Sequence, residues 1–183
     1  MEIKSERLVF PDRQGRKIAA FLDSASDLGE NEPVVVMTPK FGESKKNNLQ
    51  VAYFLAANGL HTFRFDHTDH IGESDGTIVD YTFGGSTNDI LECVRYLNET
   101  FHTQEIILLA NSISVRCAIR AARRDRRVAR VVSLVGVVNF RDTAREVYQD
   151  DMVGKHLNGE ASGVSDILGH DVNVTRFLED CIA

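Results

Sequence analysis

The chain has 183 residues, of which 43% are hydrophobic and 26% are charged, a composition that suits one globular domain with a sizeable core. Acidic residues outnumber basic ones by 27 to 21 and give a formal net charge of -6, which argues against a nucleic-acid-binding protein because such proteins need a basic face. The sequence has no apolar run of the roughly 20 residues that cross a membrane, and its charged start, 1–7, is unlike a secretory signal. We therefore expect a cytoplasmic protein that acts on a small molecule or on another protein.

The predicted elements begin with an antiparallel hairpin. Residues 3–9 and 17–22 alternate or cluster apolar positions on either side of the turn-forming residues 11–15. After a polar link, the run 33–38 is short, β-branched and continuous, as in strands that are covered on both faces of a sheet. We expect this run to form a central strand.

Strand and helix patterns alternate from residue 33 to residue 138. Short apolar runs predict strands, and apolar residues three or four apart predict helices. The resulting β-α-β-α-β-α-β order requires a parallel sheet. The predicted strands are 33–38, 61–65, 106–109 and 130–138, and the predicted helices are 49–58, 87–97 and 114–124.

The pattern changes after residue 138. A helix is predicted at 142–152, followed by a polar stretch with glycines and a short helix at 174–180, and no further strand is predicted. The three cysteines, Cys93, Cys117 and Cys181, are odd in number and far apart. This spacing favours reduced, buried thiols over a disulfide framework or a zinc site.

The most informative segment joins a predicted strand to a predicted helix through Ser112. In the nucleophile-elbow motif G-x-S-x-G of α/β hydrolases, the serine occupies a strained turn, and small flanking residues let the helix pass close to the strand. Ala110 and Ser114 occupy the flanking positions here, and both are small. Ser112 is therefore the candidate nucleophile. The alternative is that Ser112 only caps the helix.

Two loops at the same end of the predicted sheet support this hypothesis. Residues 38–42 follow the central strand, at the place from which hydrolases of this fold extend one amide of the oxyanion hole. We assign the backbone N–H of Phe41 to that role, beside the N–H of Ile113. The alternative is an ordinary loop with a flexible Gly42. The polar loop 66–74 has the character of the next loop in such enzymes.

In the blocks 61–66 with 70–72, 109–114 and 135–143, the sequence resembles the bacterial bioluminescence acyltransferase family, the myristoyl-acyl carrier protein thioesterases. The resemblance covers most of residues 33–181, and in that family an A-x-S-x-S elbow replaces the usual glycines. It implies an α/β-hydrolase-type, mostly parallel sheet with an N-terminal antiparallel hairpin and without the final strands of that fold. We expect one partial domain over 1–183, with a βα core at 33–138 and the start of a cap region at 139–183.

The resemblance also implies a chemistry, in which Ser112 attacks a fatty acyl thioester of acyl carrier protein or coenzyme A and forms an acyl-serine intermediate. Such a serine needs a histidine base and an acidic residue, which the fold supplies later in the chain. His156 and His170 fall in segments that resemble the cap region, so neither is assigned as the base. We therefore expect little or no thioesterase activity from this chain alone. The alternatives are a generic serine esterase and a non-catalytic acyl-binding protein.

The segment 67–70 is a candidate metal site, because His-Thr-Asp-His after a strand resembles half of a metallohydrolase motif, with Asp66 adjacent. Phe65 stands where the motif needs another histidine. A polar loop is therefore favoured, and neither a metal nor a cofactor is expected.

A basic stripe follows Ser112 on the predicted helix, at Arg116, Arg120 and Arg123. Acidic acyl carrier protein is a natural partner for such a stripe. The favoured alternative is a solvated helix face, whose cations interact with the C-terminal end of the helix.

Overall fold

A six-stranded sheet forms the centre of the computed structural model, which describes residues 2–160 and 162–182. Most of its strands are short and rich in β-branched or aromatic residues, as a buried sheet requires. In chain order they are β1 (Lys4–Pro11), β2 (Lys17–Ser24), β3 (Val34–Thr38), β4 (His61–Phe65), β5 (Ile106–Asn111) and β6 (Val128–Leu134).

The strand order in the sheet is β1-β2-β4-β3-β5-β6. β1 pairs with β2, and β2 with β4, in antiparallel register, whereas β4, β3, β5 and β6 are parallel. Every residue of β3 and β4 is buried. The predicted N-terminal hairpin, the parallel sheet and the interior position of 33–38 are therefore confirmed.

Six α-helices accompany the strands in the described residues, and a 3-10 helix, Ile78–Asp80, precedes the second of them. The longest helix begins four residues before the predicted start at 87, because Thr82 caps it by accepting a hydrogen bond from the Gly85 N–H. The helices are α1 (Leu49–Ala57), α2 (Phe83–Phe101), α3 (Ser114–Arg124), α4 (Phe140–Tyr148), α5 (Met152–Leu157) and α6 (Val174–Ile182).

The last strand of the sheet is shorter than predicted. β6 ends at Leu134, because Val135 adopts a left-handed conformation with a φ of +50° and turns the chain away from the sheet. The prediction that the strand continues to Val138 is therefore wrong. The helix predicted at 142–152 is divided into α4 and α5, because Gln149 also has a positive φ of +53°.

A small hairpin occupies the stretch for which no strand was predicted. β7 (Val164–Ile167) and β8 (His170–Asn173) form a separate antiparallel sheet. The two residues between them, Leu168 and Gly169, have φ values of +53° and +85°, which a two-residue type I′ turn needs. The prediction of no strand here is wrong. No pattern indicated the hairpin because its strands are only four residues long and each has a single buried residue.

The three cysteines are free and buried, as predicted. Burial raises the pKa of the Cys117 thiol to about 12, so this thiol is protonated at neutral pH and is a poor nucleophile. No helix in the part of the chain that the structure describes is long and apolar enough to span a membrane.

Candidate active site

Ser112 lies in a sharp turn between β5 and α3. Its φ is +55°, in a region that residues other than glycine rarely adopt. The Ser112 N–H donates to the carbonyl of Leu134, and the Ser112 carbonyl accepts from the Val137 N–H, both across 3.0 Å. The surrounding backbone thus stabilises the strained conformation, which is the one that a nucleophile elbow needs.

Ser114 explains how this elbow tolerates a serine where the usual motif has glycine. Its hydroxyl is directed back to Asn111, donating to the carbonyl across 2.7 Å and accepting from the N–H across 3.1 Å. The side chain is almost fully buried. Its volume is therefore accommodated within the turn, and its hydroxyl satisfies backbone groups of the strand end.

A cavity of about 520 Å³ opens beside Ser112. This volume lies in the range of roughly 300–1,000 Å³ that small-molecule sites occupy. Its wall combines the loop after β3, the elbow, α4, the β7–β8 hairpin and α6. The apolar and aromatic part of the wall includes Phe41, Ile113, Phe140, Val147, Ile167 and Phe177.

The three residues predicted to form the site, Ser112, Phe41 and Ile113, line this one cavity. Neither the Phe41 N–H nor the Ile113 N–H donates a hydrogen bond to any residue that the structure describes. Ile113 is the N-cap of α3, where backbone N–H groups lack partners within the helix. Two such donors beside a serine are the chemical components of an oxyanion hole.

The loop that contains Phe41 contacts a buried imidazole. The Gly42 N–H donates to His70 Nε2 across 3.0 Å, and the Phe41 ring meets the His70 ring edge to face with centroids 5.8 Å apart. Burial, with a smaller contribution from nearby His67, lowers the pKa of His70 to about 3. His70 is therefore neutral at neutral pH and can accept the Gly42 hydrogen bond.

A buried ion pair connects this loop to the predicted third loop of the site. Lys45 and Asp66 form the pair, and their side chains are 1% and 0% exposed. Asp66 also accepts hydrogen bonds from the N–H groups of Lys45, across 2.7 Å, and of Glu73, across 2.8 Å. The loops after β3 and β4 are thus fixed to each other.

The residues of the considered metal motif have other partners. Asp66 pairs with Lys45, and Asp69 pairs with Arg16 across 2.7 Å. His67 Nδ1 lies 3.3 Å from an oxygen of Asp89. These contacts connect the loop to the rest of the molecule and explain its polar composition.

His170, to which the sequence analysis assigned no role in the site, is one of the residues that line the cavity. It lies at the start of β8, lines the same cavity as Ser112, and meets the Phe41 ring with centroids 5.6 Å apart. Recognition of Leu168–Gly169 as a hairpin turn would have predicted that His170 begins a strand. His156 lies on α5, and it is absent from the described wall of the cavity.

The three arginines of the predicted stripe do not share one environment. Arg116 donates to the Cys181 carbonyl across 2.8 Å, and its guanidinium lies 5.7 Å from the centre of the Phe83 ring. Arg120 donates to the Asp180 carbonyl across 3.2 Å. Both arginines therefore fix the end of α6. Of the three, only Arg123 is exposed.

Sequence comparison finds related proteins in Vibrio and Photobacterium species. The model of a family described as acyl transferase matches residues 28–183. An acyl transferase of Vibrio campbellii is 31% identical over 156 residues, covering 83% of this chain and 50% of the relative. One of Photobacterium leiognathi is 29% identical over 181 residues, covering 87% and 55%. The chain thus spans about half the length of the curated relatives it matches.

Comparison with solved structures gives the fold. Est1E of Butyrivibrio proteoclasticus, solved with ferulic acid bound, superposes with a TM-score of 0.77 at 21% identity, covering 95% of this chain and 70% of that one. The α/β hydrolase GrgF of a Penicillium species superposes with a TM-score of 0.66 at 19% identity, covering 94% and 63%. The fold is therefore that of the α/β hydrolases.

Proposed function

The chain belongs to the acyl transferase family, and from this premise we propose that it forms a covalent acyl intermediate on Ser112. The donor is a fatty acyl thioester of acyl carrier protein or of coenzyme A. The acyl group then passes to water or to another acceptor, so the complete protein acts as a thioesterase or acyltransferase.

One observation supports this proposal most directly: a serine with a φ of +55° stands at the wall of a largely apolar cavity. A strained turn between a strand and a helix presents the hydroxyl to a ligand. The apolar side chains around it suit an acyl chain, because burial of methylene groups is favourable by about 0.8 kcal/mol each.

Ser112 Oγ attacks the thioester carbonyl carbon and its proton passes to a general base, while the N–H groups of Phe41 and Ile113 stabilise the negative charge on the carbonyl oxygen. The carbon–sulfur bond then breaks, and the thiolate leaves and takes up a proton. No described residue is assigned as the base. A serine without its base retains only the part of catalysis due to binding and the oxyanion hole, roughly 10³ to 10⁴ over water in serine proteases.

The proposed protein partner is an acidic acyl carrier protein. Arg123 and Arg124 are exposed at the end of α3, the helix that begins at the proposed nucleophile. Cations at a helix C-terminus are also favoured by the helix dipole. The positive charges of Arg123 and Arg124 would attract an acidic carrier protein to this end of α3. Arg116 and Arg120 contact α6 and are less accessible to such a partner.

Intact-protein mass spectrometry tests the proposal. The chain is mixed with acyl-coenzyme A of increasing chain length and quenched in acid, and the modified residue is located by peptide mapping. We expect an acyl adduct on Ser112 that Ser112→Ala abolishes and that Ser165→Ala, which removes an exposed serine on β7, leaves unchanged. Saturable binding of the acyl chain without an adduct would instead indicate a non-catalytic acyl-binding protein.

A further inference from the structure

We propose that His70 is a positioning residue for the oxyanion hole, which fixes the backbone of Gly42 and thereby the direction of the Phe41 N–H. This inference rests on the proposed function of Ser112. His70 does not line the cavity, and it acts through the loop that it contacts.

The first step is the hydrogen bond from the Gly42 N–H to His70 Nε2, across 3.0 Å. The Gly42 nitrogen and the Phe41 carbonyl belong to one rigid peptide plane. A bond that fixes the Gly42 N–H therefore fixes this plane, and only the two backbone dihedral angles of Phe41 separate it from the Phe41 N–H. Gly42 has a φ of +75°, a conformation that is costly for other residues and that benefits from an external partner.

The second step is the rigidity of the imidazole. His70 is 4% exposed, and its ring packs on Phe41 and on Tyr81, with centroids 5.8 and 5.3 Å apart. His70 Nδ1 is buried and has no hydrogen-bond partner among the described residues. The Gly42 N–H is thus the donor that reaches Nε2, and packing on Phe41 and Tyr81 fixes the orientation of the ring.

The protonation state of the His70 imidazole suits it to accept this hydrogen bond. Because Nε2 accepts a hydrogen bond from a backbone N–H, the proton of the neutral ring must reside on Nδ1. The depressed pKa of His70, about 3, keeps the ring in this state throughout the neutral range. The acceptor is therefore available wherever acyl transfer would be measured.

A second imidazole, His170, also approaches this loop. A Cβ atom at position 42 would lie 2.9 Å from His170 Nε2, so the hairpin approaches this backbone as closely as glycine permits. The Phe41 ring contacts both imidazoles. The loop thus contacts both imidazoles, and loss of the His70 side chain removes the one that accepts its hydrogen bond.

The test compares His70→Ala, which removes the acceptor, with His70→Gln, whose side-chain oxygen can accept the Gly42 hydrogen bond. His67→Gln is the matched control, because His67 lies in the same buried cluster and contacts Asp89. A fluorophosphonate probe is titrated against each full chain, and intact mass spectrometry separates probe affinity from the rate constant of adduct formation at Ser112. Hydrogen exchange of the Gly42 amide, followed by NMR, gives a readout that needs no chemistry.

We expect His70→Ala to lower the rate constant of adduct formation at Ser112 about tenfold or more and to leave probe affinity unchanged. The reason is that small misplacements of active-site groups cost up to about 10²-fold in rate. His70→Gln should restore most of the rate and the protection of the Gly42 amide, and His67→Gln should leave both unchanged. If His70→Ala leaves the rate constant of adduct formation or the exchange of the Gly42 amide unaltered, His70 does not have this role. Labelling of Ser112 in that variant would still support the proposed function. If the unmodified chain is not labelled at Ser112, the proposed function fails and this inference fails with it.

Discussion

The hydroxyl of Thr38 donates a hydrogen bond to Ser114 Oγ across 3.1 Å, and both side chains are almost fully buried. Thr38 ends β3, the strand that leads to Phe41, and Ser114 begins α3, directly after the proposed elbow. This contact therefore couples the two segments that supply the proposed oxyanion donors. It also gives the serine at position 114 a role that glycine could not perform.

The Ser114→Ala substitution should lower the free energy of unfolding by about 1–3 kcal/mol, because the Asn111 N–H loses its partner and the buried Thr38 hydroxyl keeps only the Leu109 carbonyl, 3.5 Å away. Urea denaturation measures this loss. A double-mutant cycle with Thr38→Val should show a coupling of about 0.5–1.5 kcal/mol. Strictly additive losses would mean that the two hydroxyls do not interact.

The Asp66→Asn substitution should be among the most destabilising single changes, because it leaves the charge of Lys45 buried. Breaking a buried ion pair costs about 3–5 kcal/mol, and we expect the lower end because a Glu73 oxygen lies 3.4 Å from Lys45 Nζ. Urea denaturation again gives the value. Lys45→Met combined with Asp66→Leu should recover part of the loss, and a double variant worse than Asp66→Asn would contradict this explanation.

Stability should fall as the pH is lowered from 7.5 to 5, in part through His70. Its folded pKa of about 3 lies below the roughly 6.5 of an unfolded histidine, so the unfolded chain takes up the proton first. The contribution is complete above about pH 6.5 and is lost toward pH 3, at up to about 1.4 kcal/mol per pH unit. The charges of nearby His67 and His170 act in the same direction. His70→Gln should flatten the profile between pH 6.5 and 5, and an unchanged slope would assign the titration to another group.

The charge reversal Arg123→Glu should weaken binding of acyl carrier protein about three- to tenfold at low salt, with the difference lost at high salt. Its melting temperature should not change, because Arg123 is exposed. Isothermal titration calorimetry checks the affinity, and Lys4→Glu on β1, at the opposite edge of the sheet from β6, is the matched control. Equal affinities for Arg123→Glu and the control would leave only a solvated helix face.

The Arg116→Ala substitution, unlike Arg123→Glu, should lower the melting temperature. Arg116 donates to the Cys181 carbonyl and packs on Phe83, so its removal loosens the end of α6. Differential scanning calorimetry measures the shift, with Arg123→Ala as the exposed control. A melting temperature equal to that of the control would show that the contact with α6 contributes little.

The parallel core could be predicted because its elements have strong, short patterns. The strand 61–65 and the helix 114–124 have the predicted bounds. The end of β6 could not be predicted, because residues 135–138 are apolar or glycine and continue the strand pattern. The Val137 N–H is instead used by the Ser112 carbonyl, a long-range contact that no local pattern indicates.

Sequence reasoning could predict only those residues of the candidate site that directly follow a recognisable strand. Ser112, Phe41 and Ile113 occupy loops next to strong strands, and their position follows from the parallel sheet. His70 and His170 lie 100 residues apart in the chain, on the loop after β4 and on the β7–β8 hairpin, and both rings contact the ring of Phe41. Their contribution depends on tertiary structure and leaves no spacing in the sequence.

Peptide mapping after reaction with a fluorophosphonate probe tests the nucleophilic role of Ser112 most directly. We predict one stoichiometric adduct, on Ser112, that long-chain fatty acid slows by competing for the cavity and that Ser112→Ala abolishes. An unlabelled chain, or an adduct on another residue that persists in Ser112→Ala, would contradict the nucleophilic role of Ser112.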